Sequence, residues 1–242
     1  MASSERTPLR RVVMASLIGT TIEWYDFFLY GSAAALVFNR LFFPEFDPLV
    51  GTMLAFATYA LGFVARPVGG IVFGHFGDRI GRKRLLMLSL VLMGVATILI
   101  GLLPTYAQIG VWAPVALIVL RLIQGFAVGG EWGGAVLMAA EHGDAARRGF
   151  WASWPQAGVP AGSLLAAAVL AIMAATMSEV EFLAWGWRVP FILSAVLVAV
   201  GFYIRNRVSE SPMFQAALDE AEELPKLPAM DVIRERPLAV LL

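Results

Sequence analysis

Five charged side chains lie within runs of this 242-residue chain that are otherwise apolar: Glu23 and Asp26 in "GTTIEWYDFFLYG", then Arg66, Arg121 and Glu131. Glu23 and Asp26 are three residues apart, so a helix carries them on one face. Two carboxylates at that spacing in a low-dielectric setting resist being ionised together, and one of them can then hold and exchange a proton. The structural alternative is that each pairs with an arginine or caps a neighbouring helix. Arg121 opens "RLIQGFAVGGEWGGA", with Gln124 and Val128 on roughly its face. A fixed buried cation suits a carboxylate, either a ligand's or a proton carrier's. Covalent chemistry has no candidates, because no nucleophile stands with a positioned base and there is no P-loop. With no cysteine and two histidines, His75 and His142, the chain offers no metal cluster. No cofactor is implied, and an enzyme is not expected.

These residues need elements that hold them at membrane depth. The chain is 59% hydrophobic and 15% charged, with a mean hydropathy of +0.75. Soluble domains carry roughly a quarter charged residues, so this is an integral membrane protein. A hydrocarbon core of about 30 Å takes about 20 apolar residues per helix. Six stretches qualify, at about 12–38, 49–74, 85–103, 111–139, 150–176 and 188–204. The first resembles a secretory signal, with Arg6, Arg10 and Arg11 ahead of it, but its length and its two acids mark a retained span. At about 1.5 Å per residue, Glu23, Asp26 and Arg121 fall near mid-membrane, whereas Arg66 and Glu131 fall near one end. The expected groupings are therefore Glu23 and Asp26 around Arg121, and Arg66 with Glu131. Three acids against two arginines leave one carboxylate without a partner, in the central group.

Lysine and arginine collect on one side: Arg6, Arg10 and Arg11, then Arg79, Arg82, Lys83 and Arg84, then Arg147 and Arg148, then Arg205 and Arg207. The opposite loops hold Arg40 and Arg188, with Trp185 and Trp187 as expected interfacial anchors. The positive-inside bias makes both ends of the bundle cytoplasmic, in a cell (plasma or inner) membrane. The organisation read from this is a cytoplasmic terminus at 1–11, a six-helix bundle at 12–208, a polar, proline-punctuated cytoplasmic linker at 209–236, and at 237–242 the apolar start of a truncated seventh helix. A net charge of zero gives no case for nucleic-acid binding. Gly125, Gly129 and Gly133, and Gly130 with Gly134, repeat every four residues, a spacing that lets helix backbones approach. "PQAGVPAG", Pro155 to Gly162, predicts a kink in the fifth helix; Gln156 is a weaker substrate contact.

"GHFGDRIGRKR", Gly74 to Arg84, joins the second and third helices and resembles the signature loop of the major facilitator superfamily. "EWYDFFLYG", "LRLIQGFAVGGEWGGA", "GWRVPFILS" and "SESPMF" are similar to the metabolite:proton symporter family within it, and "AALVFNRLFFP" and "GHFGDRIGRKR" resemble its shikimate-type carriers. The resemblance implies an all-α integral membrane fold, of which this chain forms the six-helix N-terminal half. It places Asp26 and Arg121 at a proton and substrate site, to which the depth count adds Glu23 and the shared helix face adds Gln124. It also implies a cytoplasmic gate held by Asp78 and Arg82 against a missing six-helix C-terminal half; Gly74, Gly77 and Gly81 of the loop, and Arg66 and Glu131 by depth, are grouped with that gate. The function implied is proton-coupled symport of a small polar metabolite, an organic acid of the shikimate-like or dicarboxylate kind. The alternatives are uptake of a zwitterionic osmolyte such as proline or betaine, or a non-transporting membrane sensor or assembly subunit. The partners are then the substrate, the proton and the lipid bilayer.

Overall fold

The computed structural model describes residues 9–207, apart from the side chains at 78–80, 82, 132, 133 and 145. Every described element is a helix or a helical turn. Among the described residues six helices are long and apolar enough to cross a membrane: α1 (Leu9–Phe42), α2 (Pro48–Ile80), α3 (Arg82–Leu102), α4 (Trp112–His142), α5 (Arg148–Thr176) and α6 (Arg188–Asn206). They coincide with the six expected stretches to within a few residues at each end. The expected linker at 209–236 and the start of a seventh helix at 237–242 lie outside the described residues.

Local sequence explains the helix boundaries and breaks. The Asp47 carboxylate accepts from the Leu49 amide at 2.9 Å and Pro48 occupies the first turn of α2, where a missing N–H costs nothing. Gly81 separates α2 from α3 with φ 99°, a conformation that penalises any residue with a Cβ. Arg188, at the start of α6, donates to the carbonyls of Gly101 and Leu103 at 2.8 and 2.6 Å, satisfying acceptors that the end of α3 leaves free. The chain of α4 is interrupted at Gly130, between Trp112–Gly129 and Glu131–His142. The kink expected in α5 is present as a 3₁₀ turn at Trp154–Ala157 that begins around Pro155.

The helices associate mainly as α2 with α4, α1 with α5 and α3 with α6, and α1 is the most enclosed of the spans. Lipid tails are as apolar as leucine, so association depends on close backbone approach and polar links more than on hydrophobic burial. The glycine spacing of α4 serves that purpose. A Cβ at Gly125 would lie 2.7 Å from the carbonyl carbon of Gly62 on α2, so the two backbones are in direct contact there. In the same way a Cβ at Gly162 of α5 would lie 2.6 Å from the Tyr25 amide nitrogen of α1.

At the end opposite the basic residues, Tyr30, Phe38, Phe42, Trp187 and Phe191 form an aromatic core with Leu117. Trp187 is therefore not the interfacial anchor expected from its loop. It is 1% exposed and packs edge-on against Phe38 and Phe42, whereas Trp185 is 54% exposed. Between Phe182 and Gly186 the backbone forms a wide π-type turn directly ahead of Trp187.

Candidate functional site: three buried ion pairs

Asp26 sits at the centre of the bundle, 4% exposed. Its Oδ1 accepts from the Thr97 hydroxyl of α3 at 2.7 Å and its Oδ2 accepts from Gln124 Nε2 of α4 at 2.9 Å. Arg121, one turn before Gln124, places Nη1 3.7 Å from Asp26 Oδ2 and donates to Gln124 Oε1 at 3.0 Å. The guanidinium lies over the rings of Tyr30 and Tyr59, 4.2 and 4.9 Å from their centroids. Gly62 makes room for it, because a Cβ there would fall 2.8 Å from Arg121 Nε. Asp26 and Arg121 thus meet as the sequence suggests, with Gln124 as the bridge between them. Thr97, Tyr30 and Tyr59 escaped notice because neutral polar residues leave no charge signal in an apolar run.

Glu23 does not share Arg121. Its Oε1 lies 3.8 Å from Arg66 Nη2 on α2, and its buried Oε2 has no hydrogen-bond partner among the described residues. Arg66 stands over Phe63 and Phe27, 4.7 and 5.5 Å from their centroids. Glu23, Asp26, Arg66, Arg121 and Gln124 all line one narrow cleft of about 10 Å³, room for roughly a single water, with Phe27 and Phe63 on its wall.

The expected Arg66–Glu131 grouping does not form. Glu131, fully buried, is paired with Arg205 of α6 through Nη2 and Oε1. Arg205 also donates from Nη1 to the Leu86 carbonyl at 2.7 Å. The mismatch has a simple cause: counting residues along a helix gives height but not the direction in which a side chain leaves it. Arg205 belongs with the basic loop by its place in the sequence, yet it is 5% exposed. A sequence signal was available, since Ser194, Gly201 and Arg205 fall on one small and polar face of α6, and all three are buried. With Arg205 included, three buried acids face three arginines among the described residues, which leaves no surplus carboxylate among these six.

Of the expected gate residues, the side chains of Asp78 and Arg82 lie outside the described residues. Gly81 supplies the positive-φ turn between α2 and α3. Gly74 and Gly77 line an open groove with Gly70, Gly129 and Gly130 between α2 and α4, and a Cβ at Gly74 would meet nothing within 4 Å. The described residues contain no group of His, Cys, Asp and Glu able to hold a metal ion.

A six-helix membrane bundle with arginine–carboxylate pairs in its interior defines the class as a helical membrane protein of the major facilitator fold. That class is visible in solved structures: the proton:xylose symporter XylE bound to 6-bromo-6-deoxy-D-glucose superimposes with a TM-score of 0.76 over 87% of this chain and 46% of its own, at 19% identity. The profile of the family described as "Sugar (and other) transporter" matches residues 12–229, and the chain belongs to that family. The shikimate transporter of Escherichia coli (strain K12) is 47% identical over 233 residues, covering 96% of this chain and 53% of that protein. The proline/betaine transporter of Salmonella typhimurium is 41% identical over 215 residues, covering 89% and 43%. The chain therefore spans about half the length of the curated relatives it matches.

Proposed function

We propose that this chain forms one half of the pathway of a proton-coupled symporter for a small polar metabolite, an organic acid of the shikimate-like or dicarboxylate kind. The observation that carries this reading is the Asp26 environment. A carboxylate enclosed in the bundle, held by Thr97 and Gln124 and set against Arg121 at the wall of a cleft, is a proton acceptor whose charge state determines how tightly α1, α3 and α4 are tied together. Asp26 is the proton carrier, Arg121 its counter-ion, and Thr97 and Gln124 position it. Loading the proton removes the charge that Arg121 balances and loosens this tie, and returning it restores the tie. Alternation of the two states is what moving helix units around a fixed midplane site requires.

The second half, joined through 209–236, completes the cleft in this reading. The basic ends of α1, α3 and α6 face the cytoplasm, where Asp78 and Arg82 hold the gate. A second reading, uptake of a zwitterion such as proline or betaine, is favoured by the name of the relative at 41% identity.

The experiment uses the complete polypeptide in proteoliposomes under an imposed pH gradient. Asp26→Asn is expected to abolish proton-driven accumulation of shikimate while retaining exchange between labelled and unlabelled substrate. Accumulation of shikimate by that variant in response to a pH step overturns the assignment. Accumulation of betaine but not shikimate by the unaltered protein selects the second reading.

A further inference from the structure

The two arginines of the cleft differ in what is left of them to offer. Arg121 is 4% exposed, covered by two tyrosine rings, bonded to Gln124 and set against Asp26. Arg66 keeps 26% of its side chain exposed, and its charged partner, Glu23, stands at 3.8 Å, beyond hydrogen-bond distance. A guanidinium carries five N–H donors in a planar fork, and among the described residues none of those of Arg66 is engaged in a hydrogen bond. Its plane rests against Phe63 and Phe27, which orients the fork without using its edge. Beside it, Glu23 Oε2 is buried without a donor among the described residues, and Glu23 is 3% exposed. The pair is loose on both sides, which leaves the arginine open to a competing anion.

We propose that Arg66 is the carboxylate receptor of the cleft and that Glu23 is the internal anion which the substrate displaces from it. The substrate's carboxylate takes the free edge of the fork in two parallel hydrogen bonds, and its carbon skeleton lies against the exposed part of Phe63, which adjoins Phe27 and Tyr59 at 5.2 and 5.7 Å. The ligand class is a compact carboxylate with a flat or cyclic face. A quaternary ammonium would need the same aromatic faces, but the guanidinium already covers two of them with a charge of its own sign. The proposal rests on the transport reading above and names the residue that sets its substrate class.

The test compares shikimate with its uncharged carboxamide as competitors for labelled shikimate uptake by the complete polypeptide, with binding to purified protein measured alongside. Losing two charge-assisted hydrogen bonds, Arg66→Gln is expected to weaken shikimate about 100- to 10,000-fold and to remove the preference for acid over amide, while carboxamide binding persists and reports a folded protein. Arg66→Lys is expected to restore part of the preference. Glu23→Gln, which removes the competing anion, is expected to bind shikimate several-fold tighter, and this holds as a test even where Arg66→Gln does not fold. An unchanged acid-over-amide preference in Arg66→Gln, or weaker shikimate binding in Glu23→Gln, overturns the role of Arg66 while leaving transport by the unaltered protein intact. Absence of carboxylate uptake by the unaltered protein overturns both readings.

Discussion

Removing Arg205 tests whether the pairing in the bundle is energetic or merely geometric. In the native protein Arg205 neutralises Glu131, which is fully buried, and donates to the Leu86 carbonyl. Arg205→Met keeps most of the side-chain volume but strands a carboxylate in low dielectric and leaves a helix carbonyl without its donor. Breaking one side of a buried pair costs about 3–5 kcal/mol. At about 2–4 °C per kcal/mol for a unit of roughly this size, the unfolding midpoint should fall by about 10 °C. The assay is thermal unfolding of the purified protein in detergent, followed through tryptophan fluorescence. Glu131→Gln keeps an acceptor for Arg205 and should cost less. The double variant should be more stable than Arg205→Met alone, because the stranded charge is gone. An Arg205→Met midpoint within about 2 °C of the native value, or a double variant that simply adds the two single losses, would refute the reasoning.

Two further outcomes follow from the packing and from the charge balance. Gly125→Ala should abolish a monodisperse peak in size-exclusion chromatography, because its Cβ would meet the Gly62 backbone at 2.7 Å and separate α2 from α4. Gly74→Ala, whose Cβ would meet nothing within 4 Å, should elute as the native protein does. If the cleft is electroneutral when empty, with Glu23 and Asp26 facing Arg66 and Arg121, a monocarboxylate should enter with one proton and carry no current. A measured charge movement with each shikimate taken up would contradict that balance.

The sequence showed the number of spans clearly, because runs of about 20 apolar residues have few other readings. It also located Asp26 with Arg121, since both are charges at mid-depth and the choice of partners was small. What it could not supply was azimuth. Glu23 shares a helical face with Asp26 by spacing, yet one residue addresses α2 and the other α3 and α4. The divergence depends on how closely α2 approaches α4 across Gly62 and Gly125, and neither side of that contact is legible without the other. Trp187 shows the same limit from the opposite direction. A tryptophan in a loop is expected at the membrane surface, but the wide turn at Phe182–Gly186 carries the chain back over the aromatic core.

The three ion pairs also divide the labour of the bundle by how completely each is enclosed. Glu131–Arg205 links α4 to α6 with both side chains almost fully buried, so neither partner can meet a ligand without taking the helices apart. Asp26–Arg121 is enclosed too, but its carboxylate depends on neutral donors from α3 and α4, and a change in its charge alters three helices at once. Glu23–Arg66 is the loosest, with its arginine in the cleft and its carboxylate incompletely satisfied. Buried charge is costly unless it is paired and hydrogen-bonded, so the pair that falls furthest short of that condition is the one a substrate can most easily complete. On this ordering, variants of Glu131 should act on stability, variants of Asp26 on coupling, and variants of Arg66 on substrate choice. A variant of Arg66 that left substrate choice untouched but lowered the unfolding midpoint as far as Arg205→Met would reverse the first and last of these assignments.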